Sequence, residues 1–132
     1  MDNTRDLSLA HAFLRVGLGI NFFMHGLSRL PNLPAFLSHT QDMFAKTWLP
    51  LPLVTATAYT MPFIELLLGV SLILGLLLRP VLVAGFIFMF MLTFGVCLAQ
   101  IWSVASGQLL YMVVLGLLLA GARYHRFGLF AT

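Results

Sequence analysis

The chain has 132 residues, of which 61% are hydrophobic and 8% charged, with a mean hydropathy of +1.01 and a formal net charge of +3. An ordinary soluble domain is about one-quarter charged, so this composition excludes one. The few cations are scattered over helix ends, which excludes the concentrated basic face of a nucleic-acid-binding module. At roughly 20 residues per crossing the length suits one all-α domain, an integral membrane bundle of four helices.

Residues 1–7 form a short polar lead. A cleavable signal peptide is not expected, because Asp2 and Asp6 spoil a basic start, Arg15 interrupts the apolar run, and no A-x-A site follows. The first span is expected at about 8–28, ended by the Leu30-Pro31 and Leu33-Pro34 steps. It carries Arg15, Asn21 and His25 within its apolar run. At roughly 100° per residue, His11, His25 and Arg29 lie within about 80° of Arg15, so one polar stripe runs almost from surface to surface. Charge in hydrocarbon is costly, so the stripe should face a partner or a cavity.

Residues 30–52 are expected to lie along the outer interface. Ser38-x-x-Gln41 reads as a capping box, and Leu33, Phe36, Leu37, Phe44 and Trp48 recur at helical spacing among polar residues. That pattern fits an interfacial helix acting as a lid, anchored by Trp48. The rival reading is a plain surface loop.

The second span is expected at about 53–78. Pro62 inside it frees the carbonyl of Ala58, and freed carbonyls are tolerated in a membrane only beside something polar or wet. One turn later comes Glu65, the lone acid of the later apolar segments, with Tyr59 and Thr60 nearby. Arg79-Pro80 reads as the tight connection to a third span at about 80–102, rich in Phe86, Phe88, Phe90 and Phe94. A short loop near residues 103–108 leads to a fourth span at about 107–122. Small residues four apart, Ser71/Gly75 and Gly116/Ala120, permit close helix packing. The single cysteine, Cys97, excludes an internal disulfide, a CxxC pair and a cysteine-based metal site.

Four spans put both termini on one side. That side carries Arg5, Arg79, Arg123 and Arg126, against Arg29 and Lys46 on the other. The positive-inside rule then places both termini in the cytoplasm of a prokaryotic inner membrane.

In depth, Asn21 and Glu65 each lie roughly 20 Å from the cytoplasmic helix ends, with Arg15 about 8 Å nearer. Arg15 is therefore the expected partner of Glu65. The pair reads either as a buried polar site or as a structural ion pair fixing one helix against the next. Histidine as a residue type suits proton transfer near neutral pH, so His25 reads either as a proton carrier or as a hydrogen-bonding residue at a helix end. No metal or haem is expected. His11 and His25 are roughly 21 Å apart along the axis, and only the pairings His25 with His39 and His11 with His125 remain. No dinucleotide fingerprint, P-loop or Ser/His/Asp constellation is present.

Three motifs resemble the DoxX-like family of small four-helix membrane proteins. They are Arg15-x-x-Leu18-Gly19 with Phe22-x-x-His25-Gly26-x-x-Arg29-Leu30, then Glu65-Leu66-x-x-Gly69 with Gly75-Leu76-x-x-Arg79, and finally Gly121-x-Arg123-Tyr124. Many relatives continue the last motif to a Ser-Leu-Asp ending, where this chain reads Tyr124-His125-Arg126-Phe127. The resemblance implies membrane redox chemistry, notably thiosulfate oxidation coupled to quinone, and complexes of thiol or oxidative-stress metabolism.

The expectation is therefore a membrane subunit of a quinone-linked redox system in sulfur or thiol metabolism, working with a protein partner. The chain would contribute a quinone pocket between the first and second spans. Glu65 and His25 would carry protons. Arg15, Asn21, Arg29, Tyr59 and Trp48 would form the floor, walls and rim. Two alternatives stay open: a non-enzymatic anchor or assembly subunit for soluble enzymes, and an oligomeric small-solute carrier.

Overall fold

Proline and glycine punctuate this chain more clearly than polarity does. In a computed structural model, which describes residues 3–128, helices joined by turns are the regular structure of the described residues, with no strand among them. Helix α1 (Asn3–Arg29) stops just before Pro31. Helix α2 (Leu33–Met43) carries Pro34 in its first turn, where the missing N–H costs nothing. Helix α3 (Leu51–Leu74) starts behind Pro50 and contains Pro62. Helices α4 (Leu78–Leu98) and α5 (Trp102–Ala120) follow, and a short 3₁₀ turn, Ala122–Tyr124, closes the bundle. Helices α1, α3, α4 and α5 are each long and apolar enough to cross a membrane.

Several boundaries differ from the sequence reading. The turn between α3 and α4 comes at Gly75–Leu77, ahead of the Arg79-Pro80 step, because Gly75 adopts φ +75° and caps α3. Its N–H and that of Leu76 both bond to the carbonyl of Ser71. The segment 103–108 is not a loop: it forms the first turns of α5. The actual turn is tighter, at Ala99–Ile101, where Gln100 takes a left-handed φ of 59° and the N–H of Ile101 reaches back to the Val96 carbonyl. Nor is there a capping box at Ser38. Helix α2 starts five residues earlier, and Gln41 instead donates to the Thr55 hydroxyl of α3 at 2.9 Å.

Helices α1 and α3 are pressed together as an antiparallel pair. A Cβ added at Gly26 would lie 2.5 Å from the Pro62 carbonyl oxygen, and one at Gly69 would lie 2.5 Å from the Phe23 amide nitrogen. Gly19 meets Ile73 and the Gly69 carbonyl in the same way. The close packing thus runs through Gly19, Gly26 and Gly69 rather than through Ser71/Gly75 or Gly116/Ala120. Lower in the bundle all four spanning helices meet in one apolar core, built around Leu18, Phe22, Leu68, Leu72, Leu82, Phe88, Leu115 and Leu118. Toward the α2 end they separate, and α2 covers the gap.

Candidate functional site

The register set by those glycines decides which cation meets the buried acid. With Gly26 against Pro62 and Leu66, and Gly69 against Phe23, Glu65 lies at about the level of His25. Arg29 is then roughly one turn above it and Arg15 about 15 Å below. The observed pair is accordingly Arg29 Nη1 to Glu65 Oε1 at 2.6 Å, not Arg15 to Glu65. The Glu65 side chain is 5% exposed and that of Arg29 27%. The Arg29 guanidinium also lies over the Phe36 ring of α2, 4.6 Å from its centroid, so one side chain joins the cover to the buried acid.

Arg15 belongs to a different cluster, at the end of the bundle where the termini lie. It is buried among His11, Gly75, His125 and Gly128, and its Nη1 donates to His125 Nδ1 at 3.0 Å. His125 Nε2 in turn donates to the Gly75 carbonyl at 3.1 Å. Those two bonds fix His125 as the neutral tautomer with its proton on Nε2. Burial, and then the charge of Arg15, push the His125 imidazole below its ordinary value. His11, buried beside it with ring centroids 6.0 Å apart, donates from Nε2 to the Leu118 carbonyl at 2.9 Å. Gly75 is required here twice over. Its φ is left-handed, and a Cβ would meet Arg15, Gly128 and His125 within about 3 Å.

The Glu65 end holds a chamber of about 290 Å³. Phe22, Phe88 and Met89, members of the apolar core, line it together with Met61, Leu92, Val104 and Gly107. Five polar side chains also line it: His25 and Arg29 from α1, Glu65 from α3, and Gln108 and Tyr111 from α5. Glycine-mediated contact leaves no room between α1 and α3, so the chamber opens on the side of that pair that faces α4 and α5. The pocket expected between the first two spans is therefore displaced.

Next to the chamber lies a larger apolar cavity of about 610 Å³, beneath α2 and between α3, α4 and α5. Arg29, Met61, Leu92, Val104 and Gln108 line both, so the two spaces adjoin. Phe36, His39, Thr40, Met43 and Phe44 of the α2 segment roof the larger one.

The remaining expected residues are placed as follows. Asn21 does not line the chamber. It orders it from behind, its Oδ1 accepting the Tyr111 hydroxyl at 2.6 Å and its carbonyl accepting His25 Nδ1–H at 2.7 Å. Tyr59 is 52% exposed and stacks on Phe63 on the outer side of α3. Trp48 is 70% exposed and stands edge-on to Phe94. Neither lines the chamber or the cavity beside it: Tyr59 lies about 120° from Glu65 around α3, and Trp48 follows the end of α2. Glu65 Oε2 is buried without a hydrogen-bond partner. Among the described residues no three His, Cys, Asp or Glu side chains converge as a metal site.

Gln108 and Tyr111 are the residues the sequence reading missed. Gln108 fell in the supposed loop, and Tyr111 in an apolar run. The only sequence signal was that both polar groups recur on one face of α5, three residues apart.

The family model described as DoxX matches residues 10–98, a stretch that holds the Arg29–Glu65 pair and the α2 cover and stops short of α5. No curated protein and no solved structure matches the chain.

Proposed function

Since the chain belongs to the DoxX family of membrane proteins, we propose that it is the membrane subunit of a quinone-linked redox system in sulfur or thiol metabolism. The observation that carries this reading is the adjoining pair of spaces: a small polar chamber beside a larger apolar one, joined past Arg29 and Gln108. A molecule with a polar ring and a long apolar tail suits that division, the ring beside Glu65 and the tail under α2.

The donors at the junction fit one carbonyl of a quinone ring. Arg29 and the Gln108 amide offer N–H groups at the junction, and the Thr93 hydroxyl donates to Gln108 Oε1 at 3.0 Å, which turns the amide nitrogen away from Thr93. Glu65 and His25 are the groups that hold or move protons. The Nδ1–H of His25 is committed to the Asn21 carbonyl, so its Nε2 is the atom that takes up or releases a proton. A bound quinone supplies the capacity to accept and give electron pairs. The substrate's electrons reach this site from a centre on a partner protein. The site lies in the inner membrane of a prokaryote, with both termini cytoplasmic and α2 on the outer side.

Gentle solubilisation followed by mass spectrometry of bound lipophilic molecules and associated proteins tests the reading. Co-purified quinone, together with a redox-active partner, is the expected result. A stable preparation free of quinone that also fails to take up added quinone overturns it.

A further inference from the structure

The polar atoms around the chamber divide unevenly between donors and acceptors. Arg29 and Gln108, which line both spaces, offer N–H groups. The three polar residues that line the chamber alone are Glu65, His25 and Tyr111, and each presents an acceptor. Glu65 accepts from Arg29 through Oε1 at 2.6 Å, and its Oε2 has no partner. His25 spends its proton on the Asn21 carbonyl, which leaves the Nε2 lone pair. Tyr111 spends its proton on Asn21 Oδ1, which leaves the oxygen lone pairs.

A quinone is acceptor-only at both carbonyls. One carbonyl suits Arg29 and Gln108, but the other would face three acceptors, an arrangement with no hydrogen bond and lone pairs opposed. A hydroxyl at that position donates instead. We infer that the chamber is built to receive a ligand hydroxyl that donates its one proton to an acceptor of the Glu65, His25 and Tyr111 set, so the reduced quinol is held in preference to the oxidised quinone. The inference rests on the quinone-linked reading above and adds which redox form the site selects. Asn21, which lines neither of the two spaces, becomes a positioning residue: by taking both protons it sets the acceptor character of His25 and Tyr111 together.

The test uses the full chain in lipid nanodiscs under anaerobic conditions with three probes of one shape: a short-tailed benzoquinone, its quinol, and the quinol's di-O-methyl ether. One hydrogen bond to a charged group corresponds to roughly tenfold or more in affinity. The quinol should therefore bind at least about tenfold more tightly than the quinone, and the dimethyl ether, which cannot donate, no better than the quinone. Tyr111→Phe, which keeps the ring against Phe22, should narrow the quinol-to-quinone ratio without weakening quinone. Equal or tighter binding of the quinone, or a dimethyl ether that matches the quinol, overturns the inference and leaves the quinone-linked reading standing. Failure of all three probes to bind the wild-type chain overturns both.

Discussion

Arg29 makes the only ion pair among the described residues, and it does so with a carboxylate that is almost fully buried. Removal of one member leaves the other charged and unpaired, at a cost of about 3–5 kcal/mol, whereas removal of both spares that penalty. Thermal unfolding in detergent should therefore show Arg29→Met strongly destabilised and Arg29→Met/Glu65→Gln largely recovered. Additive losses would contradict the pairing. That a buried acid needs a cation was legible from the sequence. Which cation was not, because Arg15 and Arg29 occupy the same stripe of α1 and only the glycine contacts with α3 fix the register.

At the other end, His125 is held neutral between Arg15 and the Gly75 carbonyl, with His11 and Arg79 adding to the field around it. Its folded value is depressed, so the unfolded chain binds the proton more readily. Its stabilising contribution is fully present above about pH 6.5, the ordinary histidine value, and is lost as pH falls below that. Melting temperatures between pH 7.5 and 5.5 should fall more steeply for the wild type than for His125→Asn. Parallel curves would contradict the arrangement. The Arg-Tyr-His-Arg ending marked a helix end in the sequence, but nothing local tied its histidine to a residue 110 positions earlier.

Helix pairing depends on single hydrogen atoms in place of side chains. A methyl at position 69 would meet backbone atoms of Phe23, which cannot move aside as a side chain would. Gly69→Ala should cost about 2 kcal/mol by overpacking. Gly17→Ala, with nothing within 4 Å of the added atom, should be neutral or slightly stabilising. Equal effects in a thermal melt of the two variants would refute the tight α1–α3 contact. The spans themselves were legible as apolar runs bounded by proline. Helix α5 was the exception, because Ser103, Ser106 and Gly107 imitate a loop. In the structure Ser106 instead bonds back to the Trp102 carbonyl within the helix. That misreading concealed Gln108, and with it the wall of the chamber opposite α1 and α3.

Across the whole molecule, tight packing near the termini and separation toward α2 yield a core at one end and two adjoining spaces at the other. Composition and four apolar runs were enough to read the bundle. The place of the site was not readable, since it depends on which helix pairs close and which stay apart. The central claim is that the polar chamber holds a ring whose tail lies under α2. A tailed benzoquinone carrying a photoreactive azide on its ring tests it most directly, with labelled peptides mapped by mass spectrometry. Ring labelling should fall on the chamber walls around His25, Glu65, Gln108 and Tyr111, and excess unlabelled quinone should suppress it. Labelling confined to the outward faces around Tyr59, Trp48 or Leu110, or labelling that competitor leaves unchanged, would contradict the account.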